Sequence, residues 1–580
     1  AFNRGGDFTY PVARGYPYDE DWERWSLPIG NGSMGACIFG RTDIERIQLS
    51  EKTLGNKGPY QFGGFTNFAE IYIDVNHNYS KNYKRTLNLN EAISTVNYQY
   101  ENVEYTREYF ANYPSQIIAV KLKADKPGMI SFTIRPTIPY LKPFDKEQNG
   151  RSGHVQVLPG LITMTGNIQY YDLDYEAQIK IVNYNGTLTC KNENKQNGII
   201  EVTDADSVVL YITAATSYQL QENVFLRPNT AKFKGNVHPH SLITNRIKEA
   251  VGKGYEFLRK EHIVDYQYFF NRVDLQLTDR IPAIPTDKLL SQYRSGKHDT
   301  YLEELFFQYG RYLLIASSRN GSLPANLQGV WTQYDFSPWS GGYWHNINIQ
   351  MNYWHVFNTN LSELFNPYME YNETFRKAGV QKAIDYITRH NPTALNPINE
   401  ENGWTIGTGA TAFNIEAPGG HSGPGTGGFT TKLFWDYYDF TRDTQLLKEH
   451  VYPALLGISK FLSKTLKEQP DGTLLVDPSF SPEQKHNKQY YRTKGCIFDQ
   501  SMILETYQDL LKAAKILNSR DPFLKTVKEQ IGKLDAIKIG ESGQIKEFRE
   551  ETKYGERSCI KDFLLHISYI ISYSIFSRYF

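Results

Sequence analysis

At 580 residues the chain is too long for one hydrophobic core, and its length predicts roughly two to four domains. Lysine plus arginine and aspartate plus glutamate both number 63, and no basic run departs from that balance. The charge therefore excludes nucleic acid and an anionic membrane as expected partners, and it favours neutral ligands.

The cysteines and the apolar segments narrow the class of protein further. The cysteines stand far apart, without a Cys-x-x-Cys pair or a Cys/His cluster, so the sequence indicates neither a disulfide framework nor a metal site. The chain starts without an apolar signal segment and has no run of about 18 apolar residues. We expect a soluble protein, in the periplasm or outside the cell rather than in the cytoplasm. The oligomeric state stays open.

The first part of the chain has the pattern of β-structure. Apolar and polar residues alternate with a period of two in several segments, and turns such as Lys126-Pro127-Gly128 separate them. Their spacing predicts an antiparallel β-sandwich over residues 1–238. The alternating segments are residues 103–109, 118–124, 130–134, 160–164 and 208–214.

Near residue 239 the period of the apolar residues changes. Residues 243–269 have helical spacing, and a last strand is expected at residues 273–277, before Pro282 and Pro285. We interpret residues 239–285 as a helical linker between two domains.

The second half of the chain is predicted to be helical. Apolar residues recur at i, i+3, i+4 and i+7 in residues 301–317 and again in residues 503–517. Long loops rich in Gly, Pro, Trp and His alternate with the helices, and loops of that length are usually functional. Helical hairpins with such loops at one end are typical of an α/α barrel. The loops are residues 320–348, 402–428 and 477–494.

Residues 344–354, WHNINIQMNYW, combine amides with aromatic rings. A sugar is held by hydrogen bonds to its hydroxyls and by stacking on its apolar face, so this composition suits an oligosaccharide or polysaccharide ligand. We expect Trp344, His345 and Trp354 to bind substrate beside Asn346 and Asn348. The alternative is a buried loop whose amides satisfy backbone groups.

Several sequence blocks, in their order along the chain, resemble glycoside hydrolase family 95. The resemblance implies inverting α-L-fucosidase or α-L-galactosidase activity without a metal or organic cofactor. It also implies an α+β multidomain fold, with an N-terminal β-sandwich, a helical linker and an (α/α)6 barrel, which we assign here to residues 286–556. The blocks are WSLPIGNG at 25–32, IQLSEKTL at 47–54, YGRYLLIASSR at 309–319, LPANLQGVW at 323–331, residues 344–354, NLSEL at 360–364 and PSFSPE at 478–483.

The resemblance assigns the general acid to Glu483 and the positioning of the attacking water to Asn346 and Asn348. Inversion independently requires a protonated carboxylic acid on one ring face and an activated water on the other, about 6.5–9.5 Å away. We therefore expect the Glu483 carboxyl on the order of 7–10 Å from both asparagines, across a pocket.

The chain departs from the family pattern near its end. The family's base is completed by an aspartate in a block downstream of the acid, and no such block occurs here. Residues 557–580 are an Ile/Ser/Tyr-rich tail without family likeness, which we interpret as a frameshift or truncation that leaves the barrel incomplete. An alternative function is therefore an inactive sugar-binding remnant. We interpret Asp499 as the N-cap of a helix at residues 501–518 rather than a substitute base.

Two further residues bear on specificity. Trp344 stands where the family contacts the exocyclic end of the sugar, so it either excludes a C6 hydroxyl or forms an apolar wall for a methyl group, unless it only packs the loop. His421 lies in a glycine-rich loop, where it either faces solvent or reaches a sugar hydroxyl.

Overall fold

The computed structural model describes residues 12–13, 16–17, 19–141, 150–192 and 197–551. The chain divides into two compact units. Within the described residues, the first unit contains residues up to 219 and 227–341, and the second contains residues 220–226 and 342–551. The predicted tail, residues 557–580, lies outside the described residues.

The described strands of the first unit are β1 Val12–Ala13, β2 Tyr16–Pro17, β3 Leu27–Gly30, β4 Met34–Ile38, β5 Ile44–Glu51, β6 Gly55–Asn56, β7 Gly64–Phe65, β8 Ala69–Asp74, β9 Lys81–Asn88, β10 Ile93–Tyr100, β11 Val103–Asn112, β12 Ile117–Ala124, β13 Ile130–Thr137, β14 Arg151–Leu158, β15 Leu161–Ile168, β16 Leu173–Tyr184, β17 Thr187–Asn192, β18 Gly198–Ala205 and β19 Ser207–Thr216. Most of them form two large antiparallel sheets. One has the order β14-β15-β16-β19-β12-β11-β10-β9, and the other has the order β17-β18-β13-β8-β5-β4-β3. The remaining strands pair as β1-β2 and β6-β7.

Alternating burial explains why these segments form a sandwich. In β13, Ile130, Phe132 and Ile134 are buried, while the residues between them are more exposed. One face of each such strand can then pack into the core while the other faces outward. The predicted β-sandwich is confirmed, and the five alternating segments correspond to β11, β12, β13, β15 and β19, with Gly160 lying just before β15.

Two helices of the predicted linker, α3 and α4 (residues 240–253 and 255–270), pack against the eight-stranded sheet. Ile247 of α3 and Leu258 of α4 join Phe110 and Val209 in one buried apolar cluster. Apolar burial of this kind, rather than helical propensity alone, stabilises both helices.

The predicted strand at residues 273–277 is wrong. The backbone there has no partner strand among the described residues. Side chains of the helix at residues 300–317 hydrogen-bond its backbone groups instead. Arg311 donates to the carbonyl oxygen of Val273, and the amide of Leu277 donates to Glu304. Alternation alone cannot produce a strand where no neighbouring strand is available.

Helices dominate the second unit, as the sequence predicts, and the loops at residues 403–424 and 477–494 connect them. Closure of a barrel stays a prediction. None of the helices in the described ranges combines the length and apolar character that crossing a bilayer requires. The helices of the chain are α1 Glu20–Trp25, α2 Glu222–Leu226, α3 His240–Lys253, α4 Tyr255–Phe270, α5 Thr286–Arg294, α6 Thr300–Ser317, α7 Asn348–Tyr353, α8 Asn366–His390, α9 Gly425–Thr441, α10 Thr444–Leu446, α11 Tyr452–Ser463, α12 Ile497–Ile516 and α13 Phe523–Ile531, with a π-helical turn at Leu447–Val451 and short strands β20 Leu466–Glu468, β21 Leu474–Val476, β22 Lys485–His486 and β23 Gln489–Tyr490.

Glycines bring α9 unusually close to α12. A Cβ atom on Gly428 would lie 2.6 Å from the hydroxyl of Thr506, and one on Gly425 would lie 2.9 Å from the Cα atom of Asp499. Glycine is therefore required where the first turn of α9 meets α12.

Candidate active site

Asn346 and Glu483 meet in the second unit. The Nδ2 atom of Asn346, just before α7, donates to the Oε1 atom of Glu483 at 2.9 Å. Glu483 belongs to residues 477–494, which we call the acid loop. Two predicted catalytic residues are thus brought together. The expected separation of 7–10 Å is wrong for Asn346, because its amide bonds the carboxyl directly instead of facing it across a pocket.

His421 lies on the other side of the same carboxyl oxygen. Its Nδ1 atom is 3.6 Å from Oε1 of Glu483, and the two side chains are 47% and 49% exposed. Partial burial works to raise the pKa of Glu483. The hydrogen bond and positive charge of His421 outweigh it, together with the Asn346 amide and the Lys485 charge, so the pKa lies below its ordinary value.

Tyr490 connects His421 to the acid loop. Its hydroxyl lies 2.9 Å from each ring nitrogen of His421, and the ring centroids are 4.6 Å apart. A Cβ atom on Gly420 would lie 2.5 Å from the Tyr490 ring, so only glycine permits this packing. His421 thus lies in contact with both Tyr490 and the predicted acid, Glu483. Tyr490 was not a predicted site residue, and its only sequence signal is its place in the long loop after Glu483.

Asn348 is the first residue of α7 and is partly buried. Its side chain hydrogen-bonds none of the described residues. Asn346 is 8% exposed, and its Oδ1 atom likewise has no hydrogen-bond partner within the described ranges. The two amides thus retain hydrogen-bonding capacity for a ligand or a water molecule.

The three predicted sugar-binding aromatics have different surroundings. Trp344 is partly buried, with φ of 27° in the left-handed region that is unusual for a bulky residue. Trp354 follows the last residue of α7 and is 47% exposed. His345 is fully buried beside Tyr368 and Phe375, and burial lowers its pKa to about 3. Its ring therefore supports the site from behind rather than from the solvent side.

The prediction that Asp499 caps α12 is wrong. The helix begins at Ile497 with Cys496 as its N-cap, so Asp499 lies inside the first turn. Its fully buried carboxylate accepts hydrogen bonds from the amide of Gly425 at 2.7 Å and from the hydroxyl of Ser479 at 2.6 Å. Long-range donors thus replace the local capping bond that the sequence favours.

A second carboxyl beside the acid loop was not predicted. Ser481 donates to Oε1 of Glu547 at 2.6 Å, and the carbonyl of Glu547 accepts from the amide of Ile497. Burial and the nearby Glu551 charge raise the pKa of Glu547 to about 7, against the Ser481 hydrogen bond. Nothing in the local sequence indicates this contact.

The arrangement suits acid–base chemistry on an uncharged ligand. Within the described ranges, no three His, Cys, Asp or Glu side chains come together in a way that could hold a metal ion. A half-exposed carboxyl, a histidine and two amides can instead exchange a proton with a ligand and hydrogen-bond its hydroxyls.

Two family models match this chain by sequence. The model of the glycosyl hydrolase family 95 catalytic domain matches residues 254–561, which include Asn346, Asn348 and Glu483. The model of the glycosyl hydrolase family 65 N-terminal domain matches residues 17–62 and 52–221.

Two curated relatives span most of the chain. "Alpha-L-fucosidase 2" of Arabidopsis thaliana is 28% identical over 604 residues, covering 91% of this chain and 68% of the relative. "Probable alpha-fucosidase A" of Aspergillus niger is 28% identical over 580 residues, covering 90% of this chain and 70% of the relative.

A solved structure, "Putative kojibiose phosphorylase from human microbiome", superposes with a TM-score of 0.59 at 11% identity, over 91% of this chain and 70% of that chain. At that identity the likeness shows the fold alone. The family 95 model, in contrast, matches more than half of the chain by sequence. The chain belongs to glycosyl hydrolase family 95.

Proposed function

We propose that this protein hydrolyses terminal α-L-fucosides or α-L-galactosides of glycans with inversion of the anomeric centre. Glu483 is the general acid, and Asn346 and Asn348 position the attacking water. The hydrogen bond between Asn346 and Glu483 is the observation that carries the proposal, because it joins the water-positioning group to the acid in one site. The names of the two curated relatives support the sugar class.

The acid must be protonated when the glycosidic bond breaks. In the free site the pKa of Glu483 is lowered, chiefly by His421 acting against partial burial. A bound sugar would cover the exposed half of the carboxyl and remove it from water, which favours the neutral form. The proton of Glu483 then passes to the glycosidic oxygen as the leaving group departs.

Water attacks from the opposite face of the sugar ring. In the free site the Nδ2 atom of Asn346 donates to Glu483, so this hydrogen bond must open as the sugar enters between the two side chains. The Oδ1 atom of Asn346 then accepts a water O–H, and Asn348 contributes a second amide. An amide is too weak a base to remove the proton that this water must lose. The asparagines therefore orient the nucleophile without activating it, and the proton of the attacking water passes to bulk water as the new C–O bond forms.

A second candidate function is sugar binding without hydrolysis. Among the described residues, Glu483 is the only carboxylate that hydrogen-bonds either asparagine. This observation favours the second candidate, since inversion also needs a base on the water side of the ring.

Hydrolysis and binding experiments on the whole chain separate the two candidates. Aryl α-L-fucoside and α-L-galactoside are supplied, and proton NMR follows the first product anomer. Release of β-L-fucose or β-L-galactose is expected, and early release of the α-anomer would overturn inversion. No release from either glycoside, combined with calorimetric binding of L-fucose or L-galactose, would replace the enzyme proposal with the binding one.

A further inference from the structure

Two serines precede Glu483 in the acid loop, and both are buried. Ser479 is fully buried and Ser481 is 5% exposed. Ser479 exchanges backbone hydrogen bonds with Thr493 at 2.9 and 3.0 Å. The Ser479 hydroxyl reaches Asp499 in the first turn of α12. The Ser481 hydroxyl reaches Glu547, whose carbonyl oxygen accepts from the amide of Ile497 at the start of α12.

Each serine donates to a different carboxylate. Ser479 donates to Oδ2 of Asp499, and Ser481 donates to Oε1 of Glu547, both at 2.6 Å. The amide of Phe480, between the serines, also donates to Oδ2 of Asp499 at 3.2 Å. Three consecutive residues that end two positions before Glu483 are thus bound by two carboxylates from separate parts of the chain.

We propose that Asp499 and Glu547 are positioning residues that aim the Glu483 carboxyl at the glycosidic oxygen through the Ser479 and Ser481 hydrogen bonds. This inference rests on the proposed function of Glu483 as general acid. A misplacement of the acid by about 1 Å weakens proton transfer strongly, because the donor must lie within hydrogen-bond reach of the leaving oxygen.

The two carboxylates are costly to bury. Burial raises the pKa of Asp499 to about 6, although Ser479 and the amides of Gly425 and Phe480 work against the shift. A buried carboxyl with a raised pKa next to a reactive group is a recurrent feature of functional sites.

The two carboxylates differ in how an amide could replace them. Asp499 accepts at both oxygens, from Gly425 at Oδ1 and from Ser479 at Oδ2, so an asparagine would turn an NH2 group toward a donor. The Glu547 side chain accepts, among the described residues, at Oε1 alone. A glutamine can therefore keep the Ser481 contact, and Glu547→Gln becomes the conservative variant.

Leaving-group dependence tests the inference. A fluoride leaving group needs little protonation, whereas the sugar leaving group of an unactivated fucosyl disaccharide requires the acid. Ser481→Ala, Ser479→Ala, Asp499→Asn and Glu547→Ala should lower kcat/KM for the disaccharide by about 10- to 100-fold. The same variants should change kcat/KM for α-L-fucosyl fluoride by less than about threefold, and Glu547→Gln should stay near wild type on both.

Two controls make the outcomes distinguishable. Ser115→Ala removes a serine–carboxylate hydrogen bond of the same 2.6 Å length, to Glu261 in the first unit, and should affect both substrates equally and weakly. Glu483→Gln should reproduce the leaving-group dependence more strongly.

Equal losses on both substrates in the serine variants, or no loss on either, would overturn the inference. A Glu483→Gln variant without leaving-group dependence would instead overturn the proposed function. Should Asp499→Asn fail to fold, judged by thermal unfolding, Ser479→Ala tests the same hydrogen bond without disturbing Gly425.

Discussion

The Nδ2 atom of Asn346 donates to the Oε1 atom of Glu483 across 137 positions of sequence. The contact joins the segment before α7 to the acid loop and places the proposed water-positioning amide next to the proposed general acid. Each of the two residues therefore affects the other: the amide stabilises the ionised carboxylate, and the carboxylate fixes which end of the amide faces the ligand.

Replacing Glu483 by glutamine should remove proton donation while keeping the shape of the side chain. We expect kcat for an unactivated fucosyl or galactosyl glycan to fall by about 10²–10⁴-fold, with KM little changed. Steady-state kinetics measure the effect. Glu401→Gln, an exposed carboxyl paired with Lys460, is the matched surface control and should keep wild-type rates. Normal turnover by Glu483→Gln would remove it as the acid.

The His421→Ala variant should shift the pH dependence of kcat/KM. His421 is the largest influence that lowers the pKa of Glu483, opposing burial, so its removal raises that pKa. Activity requires protonated Glu483 and is lost as pH rises through its pKa. The alkaline limb should therefore move to higher pH in the variant. His486→Ala, an exposed histidine in the same loop, should leave the limb in place, and an unmoved limb in His421→Ala would contradict the assignment.

Loss of the Asn348 amide should be independent of the leaving group. Asn348→Ala should lower kcat/KM for fucosyl fluoride and for an unactivated disaccharide by similar factors of about 10–100, because both reactions use the same water. Asn346→Ala should lose more on the disaccharide than on the fluoride, because its amide also hydrogen-bonds the Glu483 carboxyl. Asn352→Ala, later in α7, is the control. If the Asn348→Ala variant keeps its kcat/KM for fucosyl fluoride and loses it only for the disaccharide, the Asn348 amide lies on the acid side of the sugar instead.

Stability should fall with rising pH between the unfolded and folded pKa values of Asp499. The folded pKa of about 6 lies above the reference value of 3.8, so the native state binds the extra proton in that window. Ionisation of the buried carboxyl therefore costs stability from about pH 4 to pH 6, on the order of 3 kcal/mol. Denaturant unfolding at a series of pH values measures this slope. The Asp499→Asn variant should make the slope shallower, and the remainder comes from Glu51 and Glu547, whose pKa values burial raises to about 7. An unchanged slope would exclude Asp499 as a source.

Local patterns predicted most of the secondary structure. The two-residue alternation in β11 to β13 reflects burial of one face of each strand. The helical spacing in residues 301–317 matches α6. The N-cap of α6, Asp299, accepts a hydrogen bond from the amide of Leu302. Both signals arise within a few residues of the element itself. The strand expected at residues 273–277 fails for the converse reason, because a strand needs a partner that its own sequence does not contain.

The site could be predicted only in part. Resemblance to a family identified Glu483 and the asparagines, but nothing local indicates that Asn346 would bond Glu483 directly or that Tyr490 would meet His421. Aspartate is a favoured residue type at a helix N-cap, but Asp499 instead accepts hydrogen bonds from Gly425 and Ser479, which are distant in sequence. Such contacts depend on how loops from separate segments pack, which single-residue preferences do not encode.

The carboxylate of Asp499 accepts hydrogen bonds from two backbone amides, those of Gly425 at the start of α9 and of Phe480 in the acid loop. An opening that frees one of these amide protons by moving Asp499 frees the other as well. Hydrogen exchange at the two positions should then report a single opening free energy. The start of α9 and the acid loop would then open together as one cooperative unit. The loop that carries Glu483 would therefore stay ordered for as long as α9 and α12 stay packed.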